Sequence, residues 1–232
     1  MRQINRVAVL GAGVMGATIA AHLANGGLDV LMLDIVPGEL TEQEKTKGLT
    51  LEDRNVRDRI AREGLQGLKK MKPAPFYLGT YAEQISVGNL EDDLALLTDC
   101  DWVIEVVVEY MPIKLELLKN IAPHLSAGAI LSTNTSGLSV NEMAKALPAD
   151  IQKNFLVTHF FNPPRYMRLM EIVPCAATDP DIVAGMASFL SRRLGKGIVY
   201  AKDTPNFIAN RMGVYAIYKG IQHMQVMDMS VE

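Results

Sequence analysis

The stretch Gly11-Ala12-Gly13-Val14-Met15-Gly16 constrains the chain most, because it follows one expected strand and opens an expected helix. Arg6–Leu10 reads as a short buried strand, and the residues from about Val14 to Asn25 read as a helix. In that setting the three glycines of a G-x-G-x-x-G serve a tight turn, close approach of backbone to a phosphate, and close packing of helix on strand. The helix start adds N–H groups and the positive end of its dipole. Gly11, Gly13, Val14, Met15 and Gly16 are therefore candidate phosphate-binding residues. Leu28–Asp34 reads as the next strand, with Asp34 eighteen positions beyond Gly16, near the spacing of about 20 expected of a ribose-binding acid. Its carboxylate would accept hydrogen bonds from a ribose diol and repel a 2′-phosphate, which favours NAD over NADP. The competing reading is a glycine-rich turn beside a surface aspartate.

Further short apolar runs follow at Trp102–Val108, Ala129–Ser132, Phe155–Phe160, Leu169–Val173 and Gly197–Ala201. Helices are expected around Leu51–Met71, Met111–Ile121, Val140–Leu147 and Asp181–Arg193. Such alternation predicts an α/β fold: a Rossmann-type, doubly wound, mostly parallel sheet with helices on both faces. Asp203-Thr204-Pro205 reads as a helix start, and the helix from Asn206 to about Asp228 is apolar on several sides. Residues 1–202 are expected to form the cofactor domain and residues 203–232 the start of an all-helical C-terminal domain, cut short or covered by a second copy.

Arg2 and Arg6 before the apolar Val7–Ala21 run resemble a signal peptide, but the spaced glycines explain that run better. No run reaches the roughly 18 apolar residues of a membrane span. A net charge of −3 speaks against nucleic acid as partner. Cys100 and Cys175 form no metal or redox spacing, so no metal is expected and a cytoplasmic setting is the default.

Ligands of doubly wound sheets bind at the carboxyl ends of the strands. That rule selects Glu109 and Lys114 after the Trp102 strand, and Asn134, Thr135 and Ser136 after the Ala129 strand. For Glu109 and Lys114 a solvated ion pair near a helix start is a nearly equal alternative to a cofactor contact. His159 and Glu171 lie six residues either side of Arg165, which makes them a plausible pair across two antiparallel strands. A carboxylate on one imidazole nitrogen fixes the tautomer and leaves the other as a base. On its own, His159 would be a packing histidine, as His22, His124 and His223 are read to be. Glu171 within an apolar run shifts that reading, since a buried carboxylate is costly unless paired. A base beside a nicotinamide suggests alcohol oxidation.

Four motifs in order resemble the L-3-hydroxyacyl-CoA dehydrogenases of fatty-acid β-oxidation: Gly11–Gly16, Ser132-Thr-Asn-Thr-Ser136, His159-Phe-Phe-Asn-Pro163 with Glu171, and Asp203-Thr-Pro-Asn-Phe-Ile-Ala-Asn-Arg211. The resemblance implies His159 as base, Glu171 as its electrostatic partner, and Ser136, Asn162 and Asn210 around the substrate oxygen and thioester. It also implies cofactor contacts from Glu109, Lys114 and Asn134, an acyl-CoA substrate, and a homodimer or a larger multidomain chain. Asn206 stands where many members have glycine, and Gly137 where many have a second serine. Both departures resemble the long bacterial multifunctional members with an enoyl-CoA hydratase-like region. Arg54, Arg57, Arg59, Arg62, Lys69, Lys70 and Lys72 could meet the CoA phosphates, but interleaved acids suggest a solvated helix face. Two alternatives remain open: an NAD-dependent dehydrogenase of a free hydroxy acid, and an NAD-binding module inactive as an isolated fragment.

Overall fold

The glycine loop lies between a strand and a helix in the computed structural model, which describes residues 3–230; Arg2 lies outside them. Strand β1 (Arg6–Leu10) runs through the loop into α1 (Val14–Asn25), and β2 (Asp29–Asp34) returns beside β1. Three short helices follow, α2 (Glu42–Thr46), α3 (Arg54–Arg57) and α4 (Arg59–Leu68), before β3 (Ile85–Asn89) and β4 (Trp102–Glu105). Then come α5 (Met111–Ile121), β5 (Ile130–Thr133), α6 (Val140–Ala144), α7 (Ala149–Gln152), β6 (Phe155–Phe160) and β7 (Leu169–Pro174). The last elements are α8 (Pro180–Leu194), β8 (Gly197–Tyr200) and α9 (Ala209–Val226).

The sheet order is β3-β2-β1-β4-β5-β6-β7-β8. Neighbours from β3 to β6 are parallel, β7 is antiparallel to β6, and β8 is parallel to β7. This is the doubly wound fold expected, extended by the β6–β7 hairpin. The chain turns in opposite directions from β1 and β4, which opens a crevice at their carboxyl ends. Side chains alternate between two cores: Val7 and Val9 pack under α1, α4 and α8, and Ala8 and Leu10 under α5 and α6.

Several expectations need correction. Strand β3 is absent from the expected elements; its sequence, Ile-Ser-Val-Gly-Asn, has only two apolar residues in five. The expected Leu51–Met71 helix is split at Asp58, whose buried carboxylate accepts from Arg54 Nε at 2.7 Å and Asn89 Nδ2 at 2.8 Å. The Trp102 strand stops at Glu105, where its neighbours β1 and β5 also end, at Leu10 and Thr133. The final helix starts at Ala209, since Asn206 and Phe207 have left-handed backbones with φ of 63° and 45°. Asp203 therefore does not open it; its carboxylate instead accepts from the N–H groups of Val140 and Asn141 at the start of α6.

His22 is a packing residue in α1. Its buried ring meets Phe160 edge-on at 6.4 Å. Burial, with help from Lys196, lowers its pKa from 6.5 to about 3. The unfolded chain therefore takes up a proton below pH 6.5 that the folded ring refuses until about pH 3. Stability is expected to fall on acidification through this window by on the order of a few kcal/mol. His22→Phe should flatten that limb in urea melts taken at pH 7 and pH 4.

Candidate active site

The three glycines differ in what surrounds them. Gly11 has a φ of +110°, and a Cβ there would stand 2.6 Å from the Val106 carbonyl oxygen. A Cβ on Gly16 would stand 1.8 Å from the Gly11 oxygen, so α1 is seated directly on the turn. Around Gly13 nothing lies within 4 Å, which leaves open space at the start of α1. No side chain caps α1, and its first turn carries no acidic residue. Such a start fits a phosphate. Asp34 turns its carboxylate onto the same loop, accepting from Ala12 N at 2.5 Å and Ile35 N at 2.6 Å. Asp34→Ala is expected to raise the NADH Kd about tenfold or more and to narrow the preference over NADPH, measured by fluorescence titration. Sequence reasoning missed Gly64, whose Cβ would lie 2.5 Å from the Ala12 oxygen; an isolated glycine inside a helical pattern was the available signal.

Beyond β4 the alternative of a solvated ion pair fails for Lys114, which is buried, while Glu109 keeps an exposed side chain. Lys114 is 1% exposed, with its ammonium 2.7 Å from Glu105 and 3.4 Å from Glu109. Glu105 also accepts from Val107 N at 2.7 Å and Thr133 Oγ1 at 2.5 Å. Sequence reasoning missed Glu105 too, although it gives the same signal as Glu171: a carboxylate inside an apolar run. Glu109 accepts from Thr135 Oγ1 at 2.5 Å and Ser136 N at 2.8 Å, which fixes the turn carrying the exposed Ser136. Asn134 accepts from Phe160 N at 2.8 Å and so ties the end of β5 to the residue after His159.

His159 and Glu171 are register partners on β6 and β7. His159 Nδ1 lies 2.8 Å from Glu171 Oε2, and both side chains are buried. The other carboxylate oxygen, Oε1, accepts from Ile208 N at 3.0 Å and Ala209 N at 2.8 Å. A carboxylate on Nδ1 sets the tautomer that carries its proton there, leaving Nε2 with a lone pair. Phe161 and Phe207 flank the ring at 4.4 Å and 6.0 Å between centroids. Asn210 reaches over the Ser136 carbonyl at 3.5 Å, so these two residues come together. Asn162 is on the wall of a cavity of about 310 Å³, with Val14, Thr18, Lys72, Pro73 and Arg165. The loop behind it is held from below: the buried Lys196 ammonium donates to the carbonyls of Pro164 and Met167, and burial lowers its pKa to about 8.

The basic stretch divides in two. Arg54, Arg57 and Arg59 are bonded to Asp58, Asp93, Asp92, Glu91 and Glu44, as a charged helix face would be. Lys72 instead lines the cavity beside Asn162.

Residues 6–204 match the family model described as 3-hydroxyacyl-CoA dehydrogenase, NAD binding domain. A probable 3-hydroxyacyl-CoA dehydrogenase of Bacillus subtilis is 51% identical over 96% of this chain, which spans 28% of that relative. A putative fatty acid oxidation complex trifunctional enzyme of Rickettsia felis is 40% identical over 93% of this chain, again spanning 28% of the relative. Among solved structures, FadB2 of M. tuberculosis superposes with a TM-score of 0.73 at 28% identity, covering 99% of this chain and 75% of that one. With its glycine loop, its Asp34 and its match from residue 6 to residue 204, the chain belongs to the 3-hydroxyacyl-CoA dehydrogenase family, whose NAD-binding domain it carries.

Proposed function

We propose that the protein oxidises a 3-hydroxyacyl-CoA to the 3-ketoacyl-CoA, with His159 as general base. The observation that carries this reading is the buried His159–Glu171 pair at the carboxyl end of β6, one strand from Ser136. The dinucleotide site fits NAD: Gly13 leaves room for the pyrophosphate, and Asp34 presents a carboxylate beside the loop. Bound NAD supplies the hydride acceptor. His159 Nε2 takes the hydroxyl proton as hydride departs, and Glu171 stabilises the imidazolium so formed. In the reverse direction the imidazolium returns that proton to the alkoxide. The Ser136 hydroxyl and the Asn162 and Asn210 amides orient the substrate oxygen and thioester. Glu109, Lys114 and Asn134 shape the nicotinamide side, with Lys114 held by Glu105. Lys72 and the cavity beside Asn162 offer a path for the CoA arm.

Residues 1–202 form the cofactor domain in this reading, and 203–232 begin a helical domain. Support comes from α9, where no side chain is buried and Met212, Tyr215, Ile217 and Ile221 are all exposed. Such a face calls for further helices or a second copy. A multifunctional parent agrees with the trifunctional name of the Rickettsia relative. Buried, unpaired Cys100 and Cys175 agree with a reducing cytoplasm.

The test is NADH oxidation by the full-length protein, with acetoacetyl-CoA compared against free acetoacetate. The thioester should be strongly preferred in kcat/KM. Equal or better use of the free acid would replace this substrate class with free hydroxy acids.

A further inference from the structure

Asp203 has no part in the chemistry above, yet its carboxylate is heavily engaged. It accepts from Ser139 Oγ at 2.7 Å, Val140 N at 3.1 Å, Asn141 N at 3.1 Å and Asn141 Nδ2 at 2.6 Å. The opposite face of Asn141 is also used, its Oδ1 accepting from Ala176 N at 2.8 Å. Asp203 thus fastens the chain leaving β8 onto α6.

What it fastens is an elbow. Asn206 and Phe207 follow in succession with left-handed backbones. Each such residue costs roughly 1–3 kcal/mol and persists only where its surroundings fix it. They do so here on three sides. Gly137 leaves the space that Asn206 fills, since a Cβ there would stand 2.7 Å from Asn206 N. Phe207 N donates to Thr204 O at 3.0 Å, and the Phe207 ring is buried with its edge toward His159. Asp203 anchors the upstream end. The elbow turns the next two N–H groups, those of Ile208 and Ala209, onto Glu171 Oε1. Glu171 is therefore held between the imidazole on one oxygen and the start of α9 on the other. Gly137 and Asn206 are neighbours in this one contact.

We propose that Asp203 is a positioning residue for the base. It holds the elbow so that the Ile208 and Ala209 amides lock the Glu171 carboxylate in its orientation toward His159. The proposal rests on the reading of His159 as base. Without the lock, the carboxylate loses two donors and can rotate away from Nδ1, and misplacement of about 1 Å can cost on the order of 10²-fold in rate.

The experiment uses full-length protein with Asp203→Ala and Asp203→Asn. Turnover of acetoacetyl-CoA with NADH is measured beside NADH affinity, and amide exchange is followed on the peptide containing Ile208 and Ala209. Asp203→Ala is expected to lower kcat by about tenfold or more, to leave KM and the NADH Kd within about twofold, and to speed exchange at those two amides. Asp203→Asn, which keeps an acceptor oxygen, should recover part of kcat. Unchanged kcat in Asp203→Ala, or unchanged exchange at the two amides, overturns the proposal. So does a parallel loss of kcat, NADH binding and melting temperature, which marks a general structural role. If Asp203→Ala does not fold, Asn141→Ala, which removes one of the four bonds, should give the same pattern in weaker form. Absence of that pattern is equally fatal. Should the wild type turn over no acyl-CoA, the dehydrogenase reading fails, and the exchange comparison alone then decides whether Asp203 holds the two amides on Glu171.

Discussion

Replacing His159 by glutamine is expected to lower kcat by about 10²–10⁴-fold, the usual contribution of a positioned proton-transfer group. Glutamine is close to histidine in size and keeps a polar tip, so Glu171 retains a donor while the base is lost. The ring packs against Phe161 and Phe207 and bonds Glu171. The NADH Kd should therefore stay within about twofold, read by fluorescence titration. If NADH binding collapses with kcat, His159 is a packing residue whose loss disturbs the sheet.

Two glycine substitutions should separate folding from cofactor binding. Gly16→Ala places a methyl group 1.8 Å from the Gly11 oxygen. Helix α1 then has to lift off the turn, and overpacking of this kind costs about 1–3 kcal/mol or more. Both melting temperature and NADH affinity should fall. Gly13→Ala meets no atom within 4 Å, so the fold should keep its stability. Its methyl group fills the space a pyrophosphate would occupy, and NADH affinity should drop by about tenfold or more. Equal NADH affinity in Gly13→Ala and wild type would remove the glycine loop from the cofactor site.

The sequence revealed most where one physical demand acts locally. A short continuous apolar run, a glycine triplet and a helix start can be read without knowing what packs against them, so β1, α1, β2 and α5 lie close to their expected bounds. The His159–Glu171 register could also be read, because a hairpin ties spacing to pairing. Elements decided by distant partners were harder. The split at Asp58 depends on Asn89, thirty-one residues away. Strand β3 exists because β2 offers it an edge, although Ser86, Gly88 and Asn89 are weak strand formers. Asp203 looked like the cap of the helix that follows it, whereas it serves α6, more than sixty residues upstream. The burial of Lys114 was hidden in the same way, since only the fold brings Glu105 beneath it.

The proposed reaction is oxidation of the 3-hydroxyl of a 3-hydroxyacyl-CoA, in which His159 takes the hydroxyl proton and NAD accepts the hydride. Its most direct test is the near-ultraviolet absorbance of NADH after acetoacetyl-CoA is added to full-length wild type and to His159→Gln at matched concentration. A steady fall in absorbance is expected for the wild type and a nearly flat trace for the variant. Equal rates in the two would contradict the role given to His159, and no fall with the wild type would contradict the activity itself.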